Sequence, residues 1–510
     1  MGVVIRESIK SSFASYTGLI IGLVNVVFLY TKFLSPDQFG LVRVLQDSSL
    51  LFVSFAQLGT PFILIKFFPK FFNGSKDDNG FLFFIISFSF IGFLIFTILF
   101  FSLQATYLNF YVEKSPLILQ YFYYVAPLVF GLVYINILES YLITFHKVFV
   151  QTFVREVFLK ILNTIIILLF AFKFIGFNGF IILLVASYLL SIVILTIYAK
   201  KIGGLILKPN FKFLKHKDIK KIWGYGLFTV VGGLGYLVAS KIDTIMLPAY
   251  TGLGKTAIYS LALLIATIME MPKKNLVNSV LSSLSTSINE KNYKLMDEIY
   301  KKTSLNLLIF GLLIFLLVWL NIDDLFKIIP NGNLYQSGKH VLFFLLLTRL
   351  ADLATGVNNE IILYSKYYIY GLVLIVILAI LTVITNMIFI PIFGIIGAAI
   401  ANMLSVSTYF LLEVILIWKK FRSQPFVKNT VISILISVII LFAFREVQSL
   451  VMNLFSINLT NSFSVIILMA VRSTIVGLIF VFTFWKLKLS AEFNAIISKS
   501  FEIVKARLSS

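Results

Sequence analysis

Long apolar runs alternate with short polar breaks along the chain. Most runs reach about 20 residues, the length at which an α-helix crosses the hydrocarbon core of a bilayer. Cutting the chain at its polar and Gly/Pro breaks gives fourteen candidate spans, at about 12–34, 40–65, 80–103, 118–143, 151–174, 178–199, 222–250, 255–284, 303–321, 339–363, 367–390, 394–418, 428–445 and 462–485. The pattern therefore predicts an all-α integral membrane protein with about fourteen transmembrane helices.

The composition excludes a soluble protein. Hydrophobic residues make up 59% of the chain and charged residues 13%, with a mean hydropathy of +0.99, whereas about 25% of the residues of soluble domains are charged. Cysteine is absent, which excludes disulfides, thiol nucleophiles and thiolate metal sites. The three histidines, His146, His216 and His340, are scattered, so we expect neither a metal site nor a cofactor.

The formal net charge of +21 is typical of a membrane protein, because Lys and Arg accumulate in cytoplasmic loops and contact anionic lipids. Basic residues lie about fourfold more often in the termini and in the loops after even-numbered helices than in the opposite loops. We therefore predict that both termini are cytoplasmic. The expected partner is anionic membrane lipid rather than nucleic acid.

Two helix breaks indicate an internal repeat. The sequences FKFIGFNGFIILL and FIPIFGIIGAAIA each contain a G-x-x-G, formed by Gly176 and Gly179 in the first and by Gly394 and Gly397 in the second. The two motifs are 218 residues apart, and each following helix ends in a double lysine. Because this offset covers six spans, the two copies would keep the same topology and form a parallel repeat.

The repeat predicts a domain organisation with two lobes. We expect an N-terminal six-helix lobe over 1–201, a basic cytoplasmic linker over 202–221 and a C-terminal six-helix lobe over 222–420. Two additional helices and a cytoplasmic tail would follow over 421–510.

Three segments carry a resemblance to a known family: FLSPDQFGLVRV (33–44), KIDTIMLPAYTGLGKTAIYSLA (241–262) and GVNNEIILYSKYY (356–368). With them the chain resembles the bacterial oligosaccharide flippases of the multidrug/oligosaccharidyl-lipid/polysaccharide exporter superfamily. The resemblance implies two six-helix lobes around a cavity that opens alternately to each side of the cytoplasmic membrane.

The resemblance also implies a function. Such a flippase moves a polyprenyl-pyrophosphate-linked oligosaccharide, such as an O-antigen unit, from the inner to the outer leaflet for surface polysaccharide biosynthesis, without making or breaking bonds. It would be a transporter with no catalytic residue, and other polysaccharide-assembly proteins would be its partners. Coupling to Na⁺ or H⁺ is left open.

Charged residues inside the spans are the candidate functional residues, since each costs about 2.5 to 3.5 kcal/mol at the bilayer centre and normally faces protein or a wet cavity. Arg43 and Asp47 lie one helical turn apart and share a face. They form either a neutralising pair or part of a cavity lining, and Gln46 widens the same polar stripe. Lys241 and Asp243, two positions apart, point to different faces.

Further intramembrane charges carry weaker expectations. The i, i+3 spacing of Arg349 and Asp352 predicts an intrahelical ion pair. Arg472 has no acid in its own span and needs a partner from elsewhere. Lys273 is expected to snorkel to the inner headgroups. Glu139, Arg155, Glu360 and Glu413 are expected at cytoplasmic helix ends, in solvated or lipid-facing positions.

These considerations define a candidate site. The residues expected to bind the substrate pyrophosphate are Arg43, Lys241 and Arg349. The residues expected to line the cavity or to bind a coupling cation are Asn25, Gln46, Asp47, Asp243 and Asp352. Asn25 enters this set because the repeat offset places it opposite Asp243.

Three alternatives remain open. A cation-coupled multidrug antiporter of the same superfamily would have a lumen dominated by acids, and a lipid II flippase would share the transport mechanism. A membrane polysaccharide polymerase is disfavoured, because the outer connections around 322–338 and 446–461 are short and lack a carboxylate-histidine constellation.

Overall fold

The computed structural model describes residues 2–72, 80–203, 205, 209, 219–455 and 462–508. Every regular element in these ranges is helical, and none of them contains a strand. The prediction of an all-α protein is therefore confirmed. Most of the predicted basic linker 202–221 lies outside the described residues.

The chain forms two compact units, Met1–Ser260 and Leu261–Ser510. The helices that begin in unit 1 are α1 Gly2–Leu23, α2 Thr31–Phe33, α3 Pro36–Ala56, α4 Thr60–Phe71, α5 Phe81–Ser102, α6 Gln104–Leu108, α7 Pro116–Tyr121, α8 Val125–Thr144, α9 Val148–Phe153, α10 Leu159–Ala171, α11 Phe177–Gly203, α12 Ile219–Thr251 and α13 Leu253–Ala266. Short π-helical segments, Val24–Tyr30 and Val154–Phe158, join α1 to α2 and α9 to α10.

Unit 2 continues with a second set of helices. These are α14 Met271–Asn289, α15 Tyr293–Ile328, α16 Gly332–Tyr335, α17 Lys339–Thr355, α18 Asn358–Tyr364, α19 Tyr368–Phe421, α20 Lys428–Phe455, α21 Ser462–Lys486 and α22 Ala491–Leu508. The predicted lobe boundaries remain a prediction.

Eleven helices in the described ranges are long and apolar enough to cross a membrane, or up to twelve if the bent pair Gly332–Thr355 and Asn358–Tyr364 is one span. The chain is thus a multi-pass membrane protein. Helix α19 contains two predicted spans, and it is interrupted at Gly394, which has φ 59° and ψ −131°. This backbone region is accessible almost only to glycine. The exact count of fourteen spans remains a prediction.

Helix α3 carries the first candidate residues and is well specified by its sequence. The helix begins with a capping box. The backbone N–H of Gln38 donates to Ser35 Oγ at 3.2 Å, and the backbone N–H of Ser35 donates to the side-chain Oε1 of Gln38 at 3.0 Å. Gly40 then allows close packing, because a Cβ there would lie 2.0 Å from the Leu253 carbonyl oxygen. In the apolar stretch of α3 that is long enough to cross a membrane, 72% of the residues are buried. Helix α3 is therefore surrounded mainly by protein rather than by lipid.

In unit 2, the last two spans pack on α15. Leu308, Leu312 and Leu316 form an apolar cluster there with Val476 and Phe480. A buried ion pair adds a polar contact, since Arg472 Nη1 lies 2.8 Å from Asp324 Oδ2 and also donates to the Leu320 carbonyl. The partner that the sequence required for Arg472 therefore comes from α15.

Candidate functional site

Three charged residues meet inside unit 1. Asp47, whose side chain is 2% exposed, forms an ion pair with Lys241 of α12, in which Lys241 Nζ lies 3.0 Å from Asp47 Oδ1. Arg43, one turn earlier on α3, approaches the other carboxylate oxygen at 3.7 Å. We call Arg43, Asp47 and Lys241 the unit 1 charge cluster. Of the two interpretations left open for Arg43 and Asp47, the ion pair is present at this distance, and the cavity lining stays a prediction. Lys241 is an additional partner from another helix.

The unit 1 charge cluster contains two cations and one carboxylate, so its formal charge is +1. The side chains of Arg43 and Lys241 are 21% and 22% exposed. The Nε of Arg43 has no hydrogen-bond partner within the described part of the chain. A partly exposed guanidinium beside a partly exposed ammonium can bind an anion, and phosphate oxygens suit the paired donors of a guanidinium.

Asp243 serves a different contact from its neighbour Lys241. Its carboxylate accepts a hydrogen bond from the Tyr259 hydroxyl at 2.6 Å, and the residue is buried. The two residues therefore face different neighbours, as their spacing predicts. The contact ties α12 to α13 within unit 1.

Asn25 lies in the first π segment and links it to α10. Its amide donates to the Lys160 carbonyl at 2.8 Å, and its Oδ1 accepts from the Thr164 hydroxyl at 2.8 Å. The residue is 1% exposed. Both ends of the amide are used by α10, so this contact holds the first π segment against α10. Gln46 is half-buried on α3, one position before Asp47.

The intrahelical pair predicted for Arg349 and Asp352 is wrong. Arg349 Nη1 lies 2.9 Å from Glu270 Oε1, and Asp352 Oδ1 lies 2.5 Å from Lys273 Nζ. Glu270 and Lys273 are themselves one turn apart, so two oppositely charged pairs face each other across neighbouring helices. Each charge gains a partner in this way, and α17 is tied to the start of α14. The snorkelling expected for Lys273 is replaced by an ion pair.

Glu413 was expected at a cytoplasmic helix end in a solvated or lipid-facing position, and this expectation is also wrong. Its residue exposure is 1%, and neither carboxylate oxygen has a hydrogen-bond partner among the described residues. A stripe of residues at i, i+4 spacing, Ser405, Tyr409, Glu413 and Ile417, lies on one buried face of α19. The small and apolar members of this stripe are the sequence signal that predicts burial.

Arg155 and Glu139 form another pair in unit 1. Arg155 Nη2 lies 2.8 Å from Glu139 Oε2 and also donates to Asn136 Oδ1 at 2.6 Å. This pair is neutral, unlike the unit 1 charge cluster, and its contacts are satisfied within the unit. We infer that it stabilises helix packing.

The chain is similar to proteins of several kinds. Residues 4–284 match the family model described as "Polysaccharide biosynthesis protein". An uncharacterized membrane protein of Methanocaldococcus jannaschii is 28% identical over 293 residues, which cover 52% of this chain and 54% of that protein. The match thus spans about half the length of the curated relative.

Solved structures share the fold. The lipid II flippase MurJ in an inward closed conformation has a TM-score of 0.72 at 16% identity, covering 94% of this chain and 99% of that chain. An inward-facing multidrug resistance transporter of the MATE family, from the MOP superfamily, has a TM-score of 0.62 at 15% identity, covering 79% and 95%. At these identities the similarity establishes the fold alone, which this chain shares with both of these proteins.

Proposed function

Because this chain belongs to the polysaccharide biosynthesis protein family, we propose that it is a flippase for polyprenyl-pyrophosphate-linked oligosaccharides. It would move them from the inner to the outer leaflet of the bacterial cytoplasmic membrane by alternating access, with both termini in the cytoplasm. The membrane-spanning fold supports a transporter. Bond making is no part of the proposal.

The observation that carries the proposal is the unit 1 charge cluster. Two cations share one buried carboxylate within membrane-spanning helices, and retaining an excess charge there is costly unless a ligand uses it. A pyrophosphate headgroup has the opposite charge and matches the fork of Arg43. A cationic drug, as carried by multidrug antiporters, would be repelled by this cluster. Arg349, neutralised by Glu270, is a weaker candidate for contact with the substrate.

Vesicle flipping tests the proposal. Purified protein is reconstituted with a fluorescent polyprenyl-pyrophosphate glycan, and its appearance in the outer leaflet is followed by quenching. Replacing Arg43 by Ala removes charge-assisted hydrogen bonds of about 1.5 to 3 kcal/mol, so we expect apparent affinity to fall roughly tenfold to a hundredfold. Arg43→Lys keeps the charge but loses the paired geometry and should fall in between.

The control removes a cation that is already neutralised. Lys339 pairs with Asp323 at 2.7 Å, so Lys339→Gln is expected to flip substrate at the wild-type rate. Normal flipping by Arg43→Ala, Arg43→Lys and Lys241→Gln would remove the cluster from the mechanism. Efflux of a cationic dye by wild-type protein that leaves the pyrophosphate lipid unmoved would instead favour the antiporter.

A further inference from the structure

Helix α19 is folded into a hairpin, so that its two ends lie together. Its 54 residues are interrupted at Gly394, and each half is longer than the about 20 residues that cross a bilayer. The halves touch at matching distances from this break, since Thr385 Oγ1 lies 2.8 Å from Ser405 Oγ. At the open end, the ring centres of Tyr367 and Phe421 lie 5.6 Å apart. Both ends of α19 therefore reach the same membrane surface.

Lysine and tyrosine side chains meet where these two ends come together. Lys420, in the last turn of α19, places Nζ 5.0 Å from the ring centre of Tyr367 and 5.6 Å from that of Tyr370. Lys366, in the connection between α18 and α19, places Nζ 5.2 Å from the ring centre of Tyr367. Two ammonium groups thus approach one tyrosine ring from the two ends of the hairpin, and contact with the ring holds both of them in place.

A guanidinium adds a third positive charge at this surface. Arg422 directly follows α19, and its guanidinium lies 5.6 Å from the ring centre of Trp418. We call Lys366, Lys420 and Arg422 the α19 basic cluster. All three are exposed, and none of them forms an ion pair within the part of the chain that the structure describes. Asp297 accepts a hydrogen bond from Ser423 at 2.6 Å, but its carboxylate is already paired with Lys301.

The surface around the α19 basic cluster is apolar and aromatic. Ile369, Tyr370 and Trp418 are all exposed. Exposed aromatic side chains beside Lys and Arg are typical of the depth at which lipid headgroups meet the acyl chains. The cluster lies at this depth because it bounds both halves of a membrane-spanning hairpin. A lipid matches both features, since its phosphate can meet the cations while its acyl chains cover the apolar side chains.

We propose that the α19 basic cluster binds the headgroup of an anionic phospholipid. The phosphate oxygens would accept charge-assisted hydrogen bonds from the ammonium groups and the guanidinium. One headgroup held between Lys366 and Lys420 joins the start of α19 to its end and closes the hairpin. The bias of basic residues in the sequence predicts that this surface is cytoplasmic, where anionic lipids are enriched. The proposal does not rest on the flippase function.

Thermal unfolding in detergent tests the site. Phosphatidylglycerol is titrated into delipidated protein, with phosphatidylcholine of the same acyl chains as the neutral comparison. Each basic residue near an anionic lipid surface contributes about fivefold in affinity. The double variant Lys366→Gln/Lys420→Gln should therefore raise the apparent Kd for phosphatidylglycerol by roughly 25-fold. Phosphatidylcholine should stabilise wild type and the variant alike.

A matched control removes two other lysines at the same surface. Lys428 starts the next helix and Lys488 precedes Leu489, whose carbonyl accepts from Asn429 at 2.7 Å. Both lysines are exposed and lie outside the cluster. Lys428→Gln/Lys488→Gln should bind phosphatidylglycerol like wild type. An equal loss in the two double variants would reduce the effect to net charge and overturn the proposal. Stabilisation of wild type by inorganic phosphate as strong as that by the lipid would also overturn it.

Photochemical labelling tests the site without any substitution. Wild-type protein is reconstituted into vesicles with a phosphatidylglycerol analogue that carries a photoreactive group next to the headgroup. After illumination, mass spectrometry of the peptides should find the label at residues 366–370 and 418–422. Label that avoids both segments, or equal labelling of them by the corresponding phosphatidylcholine analogue, would contradict an anionic lipid site at this end of α19.

Discussion

Lys241 Nζ lies 3.0 Å from Asp47 Oδ1, and this contact joins α12 to α3 inside unit 1. The carboxylate also faces Arg43, so Asp47 is what allows two cations to lie close together among membrane-spanning helices. Its removal would leave like charges facing each other in a poorly hydrated place. The cluster is therefore both a structural contact and the anion site of the proposed flippase.

The first prediction concerns Asp47. Replacing it by Asn should lower the free energy of unfolding by about 3 kcal/mol, because two partly buried cations lose their counter-charge. Thermal unfolding in detergent measures the change. The double variant with Lys241→Met should recover part of the loss, since only one unneutralised cation remains.

A matched acid elsewhere is the control for that prediction. Asp323 pairs with Lys339, and its side chain is 57% exposed. Exposed pairs contribute about 0 to 1 kcal/mol, so Asp323→Asn should unfold almost like wild type. If Asp47→Asn and Asp323→Asn lower the free energy of unfolding equally, the burial of Asp47 does not increase its contribution to stability.

The second prediction compares the glycines at equivalent positions of the proposed repeat. Gly394 has φ 59° and ψ −131°, where a Cβ introduces strain of about 1 to 3 kcal/mol. Gly394→Ala should therefore destabilise the protein by that amount. At Gly176 the φ is unexceptional and a Cβ would meet nothing within 4 Å, so Gly176→Ala should be nearly neutral. If Gly176→Ala lowered the thermal stability more than Gly394→Ala, the backbone conformation of Gly394 described above would be contradicted.

Much of the fold follows from local pattern. The apolar runs predict the helices, the glycine at 394 predicts the break inside α19, and the one-turn spacing of Arg43 and Asp47 predicts their contact. These features depend on residues close in sequence, where helical geometry fixes which side chains meet. The family resemblance added the fold that the solved structures share.

The partners across helices could not be predicted in the same way. Lys273 and Asp352 are far apart in sequence, and spacing within α17 favoured Arg349 as the partner of Asp352. In the folded chain Arg349 and Asp352 each pair with a residue outside α17, namely Glu270 and Lys273, instead of pairing with each other. The prediction for Glu413 was wrong for a related reason. Its position near the end of a predicted helix suggested exposure to solvent or lipid, whereas the folded chain buries this residue.

The third prediction concerns the buried pair between α21 and α15. Arg472 and Asp324 are 5% and 7% exposed, so Arg472→Met should lower the free energy of unfolding by about 3 kcal/mol. Lys327 contacts the same carboxylate at 2.8 Å but is 55% exposed. Lys327→Met should cost less than about 1 kcal/mol. If both variants unfold alike, the packing of α21 on α15 does not depend on the buried charge.

The last prediction follows from the charge of the proposed substrate. With the cytoplasm negative, each uncompensated negative charge carried outward gains about 2.3 kcal/mol per 100 mV, which is roughly fiftyfold in the equilibrium ratio. Imposing that potential with a potassium ionophore should therefore accelerate outward flipping in vesicles and slow it when reversed. Arg43 and Lys241 move with the protein and return empty, so they do not cancel the substrate charge over a full cycle. Protein-free vesicles control for leakage. A flipping rate that is unchanged by a potential of either sign would mean that the translocated species carries no net charge.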